Sequence, residues 1–169
     1  VVFVLCLLIM QQTIPVPAEQ ALEDPLGPVL LYIVNAVGEF LLLPGGLALY
    51  LALKEVKKTP MFLATVMWSL SVSLFLAARG QIISLALISD RYVGTTDETM
   101  RAAYLASAEL AIEIQSVYSY MALILLSVAS IVIGLVMLKG VWGKRIGYVV
   151  IAAGILTLLT PLVIVGIPI

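Results

Sequence analysis

TTDETMRAAYLASAELAIEIQSVYSYMALILLSVASIVIGLVML, Thr95–Leu138, is the stretch on which the fold turns. Thr95 and Glu98 have the spacing of a capping box, a hydroxyl at the N-cap and a carboxylate three residues on, so a helix is expected to begin there. No Gly or Pro interrupts it before Gly134. A helix of about 40 residues would be about 60 Å long at 1.5 Å per residue. The hydrocarbon core of a bilayer needs only about 30 Å. Counted back from Lys139, about 20 residues reach Ser119, so the part before it is expected near or beyond the membrane face. Glu109 and Glu113 then need not lie in lipid. They share one helix face at i, i+4 spacing, near Ala106, Ser116 and Tyr120, while Ile112, Ile114 and Val117 imply that the extension packs against something.

Composition agrees with a membrane setting. Of 169 residues 63% are hydrophobic and 11% charged, with a mean hydropathy of +1.18. Soluble domains carry about a quarter charged residues. The expected fold is an all-α polytopic transmembrane bundle, a single integral membrane domain over residues 1–169. Five spans are expected, at about 1–14 (truncated), 28–53, 60–89, 96–138 including the extension, and 145–166. VVFVLCLLIM reads as the second half of a span rather than as a signal peptide cleaved near Val16-Pro17-Ala18, because no basic region precedes it.

Charge sets the orientation. Lys54, Lys57 and Lys58 lie in one loop, and Lys139, Lys144 and Arg145 in another, so six of the nine basic residues fall on one side. Glu19, Glu23, Asp24, Asp90, Asp97 and Glu98 fall on the other, with only Arg91 and Arg101. The positive-inside rule makes loops 54–58 and 139–145 cytoplasmic in the cell membrane, with Trp142 as an interfacial anchor. Tyr104, Tyr118 and Tyr120 are likewise read as interface anchors. The proline-rich connector PVPAEQALEDPLGP is an external turn-rich segment with room for one short helix.

Further expectations are local. Pro28 and Pro60 suit first helical turns. Pro44-Gly45-Gly46 predicts a kink or local unwinding, read as an ordinary packed kink before a functional hinge. Ser69, Ser71 and Ser73 alternate, so only some of them can face one neighbour. Ser130-x-x-x-Gly134 and Gly143-x-x-x-Gly147 are small-residue patterns suited to close helix contacts.

The candidate site is a polar cluster. Glu39 is about 22 Å along its helix from Lys54, and Arg79 about 31 Å from Lys58, a gap of about 9 Å that two long side chains bridge. A charge in the bilayer is costly unless paired or wetted. Glu39, Arg79 and Glu113, with Glu109 at the rim and Asn35, Gln81 and Gln115 nearby, are therefore expected to cluster. The structural reading is an ion pair that fixes helix packing; the functional one is a proton, ion or small-solute site. Two glutamates at i, i+4 are weak evidence for Ca²⁺ or Mg²⁺, and no metal or cofactor is assigned.

With no His and one Cys, zinc sites, His-ligated haem, thiolate clusters and disulfides are nearly excluded, and Ser-His or Cys-His catalysis has no residues to build it. A net charge of −1 offers no polybasic surface to nucleic acid. The residue set argues against an enzyme without excluding carboxylate chemistry.

ISDRY, Ile88–Tyr92, followed by TTDETMRAAYLASAE, Thr95–Glu109, resembles a domain-of-unknown-function group of small prokaryotic multi-pass membrane proteins. These share a Leu-Ser-Asp-x-Tyr-like loop, a Thr-rich cap and an Arg-Ala-Ala-x-Leu-Ala-Ala-like helix. ALYLALKEVKK resembles the end of the group's second span, and VMLKGVWGKRIGY its inner loop. The resemblance implies about six spans, hence one after Ile169, and carries no catalytic residues. The leading expectation is a non-catalytic accessory or structural subunit that packs into a larger membrane complex, or onto copies of itself, among membrane lipids. The alternatives are a small transporter or channel using Glu39 and Arg79, and a lipid- or quinone-binding protein or intramembrane enzyme.

Overall fold

The computed structural model describes residues 17–23, 26–140 and 144–164. Six helices follow one another: α1 (Ala18–Glu23), α2 (Leu26–Phe40), α3 (Leu42–Leu53), α4 (Lys58–Gly94), α5 (Glu98–Met137) and α6 (Lys144–Ile164). No strand occurs among the described residues. Among the described residues, three stretches are long and apolar enough to cross a membrane: Ile33–Leu53, Lys58–Gly94 and Glu98–Met137. The expected first span, Cys6, Trp142 and Gly143 lie outside the described residues.

The 40-residue α5 matches the length read from the sequence, but its cap is a correction. Asp97, not Thr95, is the N-cap: its Oδ1 accepts the backbone N–H of Thr99 at 2.8 Å and of Met100 at 3.4 Å. Thr95 Oγ1 accepts instead from Asp97 N at 3.4 Å. Glu98 is therefore the first helical residue rather than the third. A carboxylate is the stronger acceptor for the unsatisfied donors of a first turn, where the helix dipole also favours negative charge. A second correction concerns ISDRY, which is helical and not a loop; α4 runs on from the expected end at 89 to Gly94. Nothing in the sequence between Ser89 and Val93 breaks a helix, and Gly94 is the first residue that favours stopping one.

Pro28 and Pro60 occupy the first turns of α2 and α4, as expected. Helix α1 occupies the connector before α2. The helical ladder lapses at Leu41, three residues before Pro44, which has no N–H to return to the carbonyl of Phe40. Leu41 keeps helical dihedrals, φ −67° and ψ −14°. The lapse is thus a missing hydrogen bond more than a change of conformation.

The chain divides into two units. The first contains the described residues up to Gly38 together with Leu76–Tyr118. Its core is Ala21 and Leu22 of α1, Leu85 and Tyr92 of α4, and Ala108 and Ala111 of α5, flanked by Ile88, Tyr104 and Ile112. The α5 extension does pack, and α1 supplies part of what it packs against. Ser89 Oγ donates to the Leu22 carbonyl, and the Arg101 guanidinium lies 4.6 Å from the centre of the Tyr92 ring, a cation–π contact between the end of α4 and the start of α5.

The second unit contains Glu39–Phe75 and the described residues from Ser119 onward. Its buried positions recur at three- and four-residue steps: Met61, Ala64, Trp68, Val72 and Phe75 on α4, and Ala122, Leu126, Ala129, Ile133 and Val136 on α5. That is the spacing of helices packed along a seam. Helix α6 meets α5 backbone to backbone. A Cβ on Gly134 would fall 2.6 Å from Ile151 Cγ1 and 2.9 Å from the Gly147 carbonyl oxygen, and one on Gly154 would fall 3.0 Å from the Ser127 carbonyl oxygen. Where lipid replaces water there is little hydrophobic drive between helices, and close van der Waals contact through small residues takes its place.

Candidate functional site

The four residues expected to cluster divide by burial. Glu39, one residue from the end of α2, is fully buried at 0% exposure, and Arg79, within α4, is at 4%. Neither side chain stands free. Glu109 and Glu113 are exposed on α5. Glu39 belongs to the second unit, while Arg79, Glu109 and Glu113 belong to the first. Asn35, Gln81 and Gln115 are half-buried.

The lapse near Glu39 is fastened by a residue that the sequence pattern did not single out. Trp68 Nε1 donates to the Leu42 carbonyl at 3.0 Å. Its ring lies so near Gly46 that a Cβ there would fall 2.6 Å from Cδ1. The second glycine of Pro44-Gly45-Gly46 therefore makes room for an indole, which favours the packed-kink reading. Gly45 meets nothing within 4 Å. The available signal was a Trp in the middle of an apolar helix, since a buried indole N–H needs an acceptor.

Hydroxyls in the second unit are turned onto backbone. Ser71 Oγ donates across to the Ala122 carbonyl at 2.8 Å. Ser127 donates to Leu123 O at 2.6 Å, Thr157 to Ala153 O at 2.9 Å, and Thr65 to Met61 O at 2.8 Å. Of the alternating serines, Ser71 is buried and Ser73 is exposed, bonding back to Ser69 O at 2.9 Å. An open groove of about 330 Å³ runs between α3 and α4, lined by Leu47, Tyr50, Phe62, Thr65, Ser69 and Ser73 among others. The Thr65 and Ser73 hydroxyls on its wall are spent on their own helix, so this wall suits hydrocarbon better than a polar solute.

No group of three or more metal-ligating side chains occurs among the described residues. No protein-family profile matches the chain, and comparison with curated proteins and with solved structures gives no match. What stands is a class: an all-helical protein with, among the described residues, three helices long and apolar enough to cross a membrane.

Proposed function

We propose that this chain is a five-span protein of the cell membrane, of the small prokaryotic multi-pass kind it resembles, and that its role is structural, as an accessory subunit of a larger membrane assembly. Loops 54–58 and 139–145 face the cytoplasm in this reading, and the α5 extension stands on the outer side.

One observation carries the accessory role. The most apolar window of Ile33–Leu53 is only 17% buried, against 56% for that of Glu98–Met137. Leu47 and Leu51 of α3 are among its exposed large side chains. In a membrane such a surface is open to another protein's helix, and the α3–α4 groove beside it offers relief for packing. The test is native purification with a cysteine at position 47 or 51, followed by cross-linking. The expected result is a partner present in fixed ratio and cross-linked from α3. A chain that purifies alone and cross-links to nothing from either position sinks the reading.

A transporter is favoured by a different observation, the burial of both Glu39 and Arg79. Ionisable residues at membrane depth are expensive and commonly serve a substrate or proton path. Its mark is a Glu39→Gln protein that folds and assembles normally yet loses solute or proton flux in vesicles. Equal flux in the two proteins removes this reading.

A further inference from the structure

We propose that the basic end of the second unit, where the turn after α3 meets the turn after α5, seats anionic phospholipid headgroups. The inference rests on the membrane-spanning reading but not on the choice between subunit and transporter.

The two turns are close neighbours. A Cβ on Gly140 would lie 3.3 Å from Val56 Cγ2 and 3.7 Å from Leu53 Cδ2. Turn 54–57 is closed by Lys54 N to Tyr50 O at 2.8 Å and Val56 N to Leu53 O at 3.0 Å; turn 138–140 is closed by Lys139 N to Val136 O and Gly140 N to Met137 O. Both turns are thus held in place by their own backbone. With the starts of α4 and α6, the latter held near Leu138 by Gly147, where a Cβ would lie 2.8 Å from Leu138 Cδ2, they bring Lys54, Lys57, Lys58, Lys139, Lys144 and Arg145 into one region of the unit, with Glu55 as the only acid in those two sequence stretches. All but the half-buried Lys54 are exposed.

The helix ends offset only part of this charge. Lys54 is the C-cap of α3 and Lys139 follows the end of α5, positions where the dipole favours a cation. Lys58, Lys144 and Arg145 are placed the opposite way. They open α4 and α6, whose first turns contain no acid, and a cation there opposes the positive end of the dipole. Three cations set against the helix ends, beside three more and one acid, leave a net positive end that attracts anions from outside the chain. For a unit whose helices reach this end out of lipid, the adjacent anion is a headgroup phosphate. Juxtamembrane Lys and Arg gain about fivefold in affinity each from such a surface.

The test uses the full chain. Alkaline carbonate extraction of membranes comes first: release of the chain would overturn the membrane-spanning reading and this inference with it. Firm retention isolates the headgroup question. Purified protein is then exchanged into nanodiscs of mixed phosphatidylglycerol and phosphatidylcholine with matched acyl chains, stripped in detergent, and the lipid it keeps is quantified. The expected result is selective retention of phosphatidylglycerol, reduced roughly a hundredfold in Lys58→Gln/Lys144→Gln/Arg145→Gln at about fivefold per charge, and preserved in the charge-keeping Lys58→Arg/Lys144→Arg. Should the triple variant misfold, wild-type retention in 1 M salt serves instead, and selectivity is expected to collapse. Equal retention of the two lipids by wild type overturns the inference. So does undiminished selectivity in the triple variant or in high salt. A thermal stabilisation by inorganic phosphate equal to that by phosphatidylglycerol would also overturn it, by making the site a free-anion site.

Discussion

In the first unit α4 and α5 share their core through Leu85, Tyr92, Ala108 and Ala111, with α1 laid against them; in the second, α5 and α6 meet through Gly134, Gly147 and Gly154 with no room for a side chain. The charges differ as well. Val1–Gly38 with Leu76–Tyr118 hold eight acids and three bases, a net of −5, whereas the rest of the chain holds two acids and six bases, a net of +4. One continuous helix, α5, runs through both kinds of environment and changes its neighbours' character on the way. Alanine and leucine contacts gain most where a helix end stands in water, where apolar burial is itself the driving force, yet residues 33–38 and 76–94 of the same unit belong to stretches apolar enough to cross a membrane. Glycine contacts with basic ends suit lipid, where only close packing remains.

The sharpest way to break the comparison is to add one methyl group to each unit. Gly134→Ala places carbon against the Gly147 carbonyl oxygen and Ile151 N, at 2.9 and 3.0 Å, both backbone atoms that cannot swing aside. A cost of about 2–3 kcal/mol is expected. Gly80, exposed in α4 of the first unit, meets nothing within 4 Å. Gly80→Ala should gain about 0.5–1 kcal/mol by lowering the freedom of the unfolded chain. Both are read by equilibrium unfolding in mixed micelles. Equal effects of the same sign would erase the distinction between the units.

Much of this fold is legible in the amino-acid sequence itself. The length of α5 follows from an uninterrupted helical pattern, the lapse near Pro44 from a missing N–H, and the use of only some of the serines at 69, 71 and 73 from their alternation. What escapes is whatever depends on competition or on distant partners. Thr95 and Asp97 both precede the helix with a side-chain acceptor, and spacing to Glu98 favours the wrong one. Ser130-x-x-x-Gly134 is visible along one helix, yet the residue that faces Ser127 is Gly154, which lies on another. For the candidate site, Glu39 and Arg79 are buried, while Glu109 and Glu113 are exposed because they sit on the face of α5 opposite Ala108 and Ala111.

The cap of α5 sharpens the picture of the first unit. Asp97→Ala removes two acceptor contacts to first-turn N–H groups and should cost about 1 kcal/mol. Asp97→Asn keeps an acceptor and should cost less. Thr95→Ala, which removes only a contact at 3.4 Å, should change little. Hydrogen exchange of amides 98–101 is the local readout, and faster exchange is expected in Asp97→Ala alone. Equal fraying in Thr95→Ala would restore the capping box read from the sequence.

A smaller loss than that of Asp97→Ala is expected in the second unit, at Ser71. Its hydroxyl makes a buried bond between helices, to Ala122 O, and in a bilayer such a bond has no water to compete with it. That argues for a large loss in Ser71→Ala. Two considerations argue the other way. Ala122 lies within the unbroken α5, so its carbonyl keeps an intrahelical donor when the hydroxyl goes. The unfolded state in a membrane is still helical and lets Ser71 bond back to its own chain, which reduces what the tertiary bond adds. The expected cost is therefore about 0.6 kcal/mol, as for interhelical bonds in membranes generally. Unfolding of Ser71→Ala in mixed micelles decides between the two. A loss above that of Gly134→Ala would mean that hydrogen bonds rather than glycine contacts hold the second unit together, and the contrast between the units would have to be redrawn around polarity.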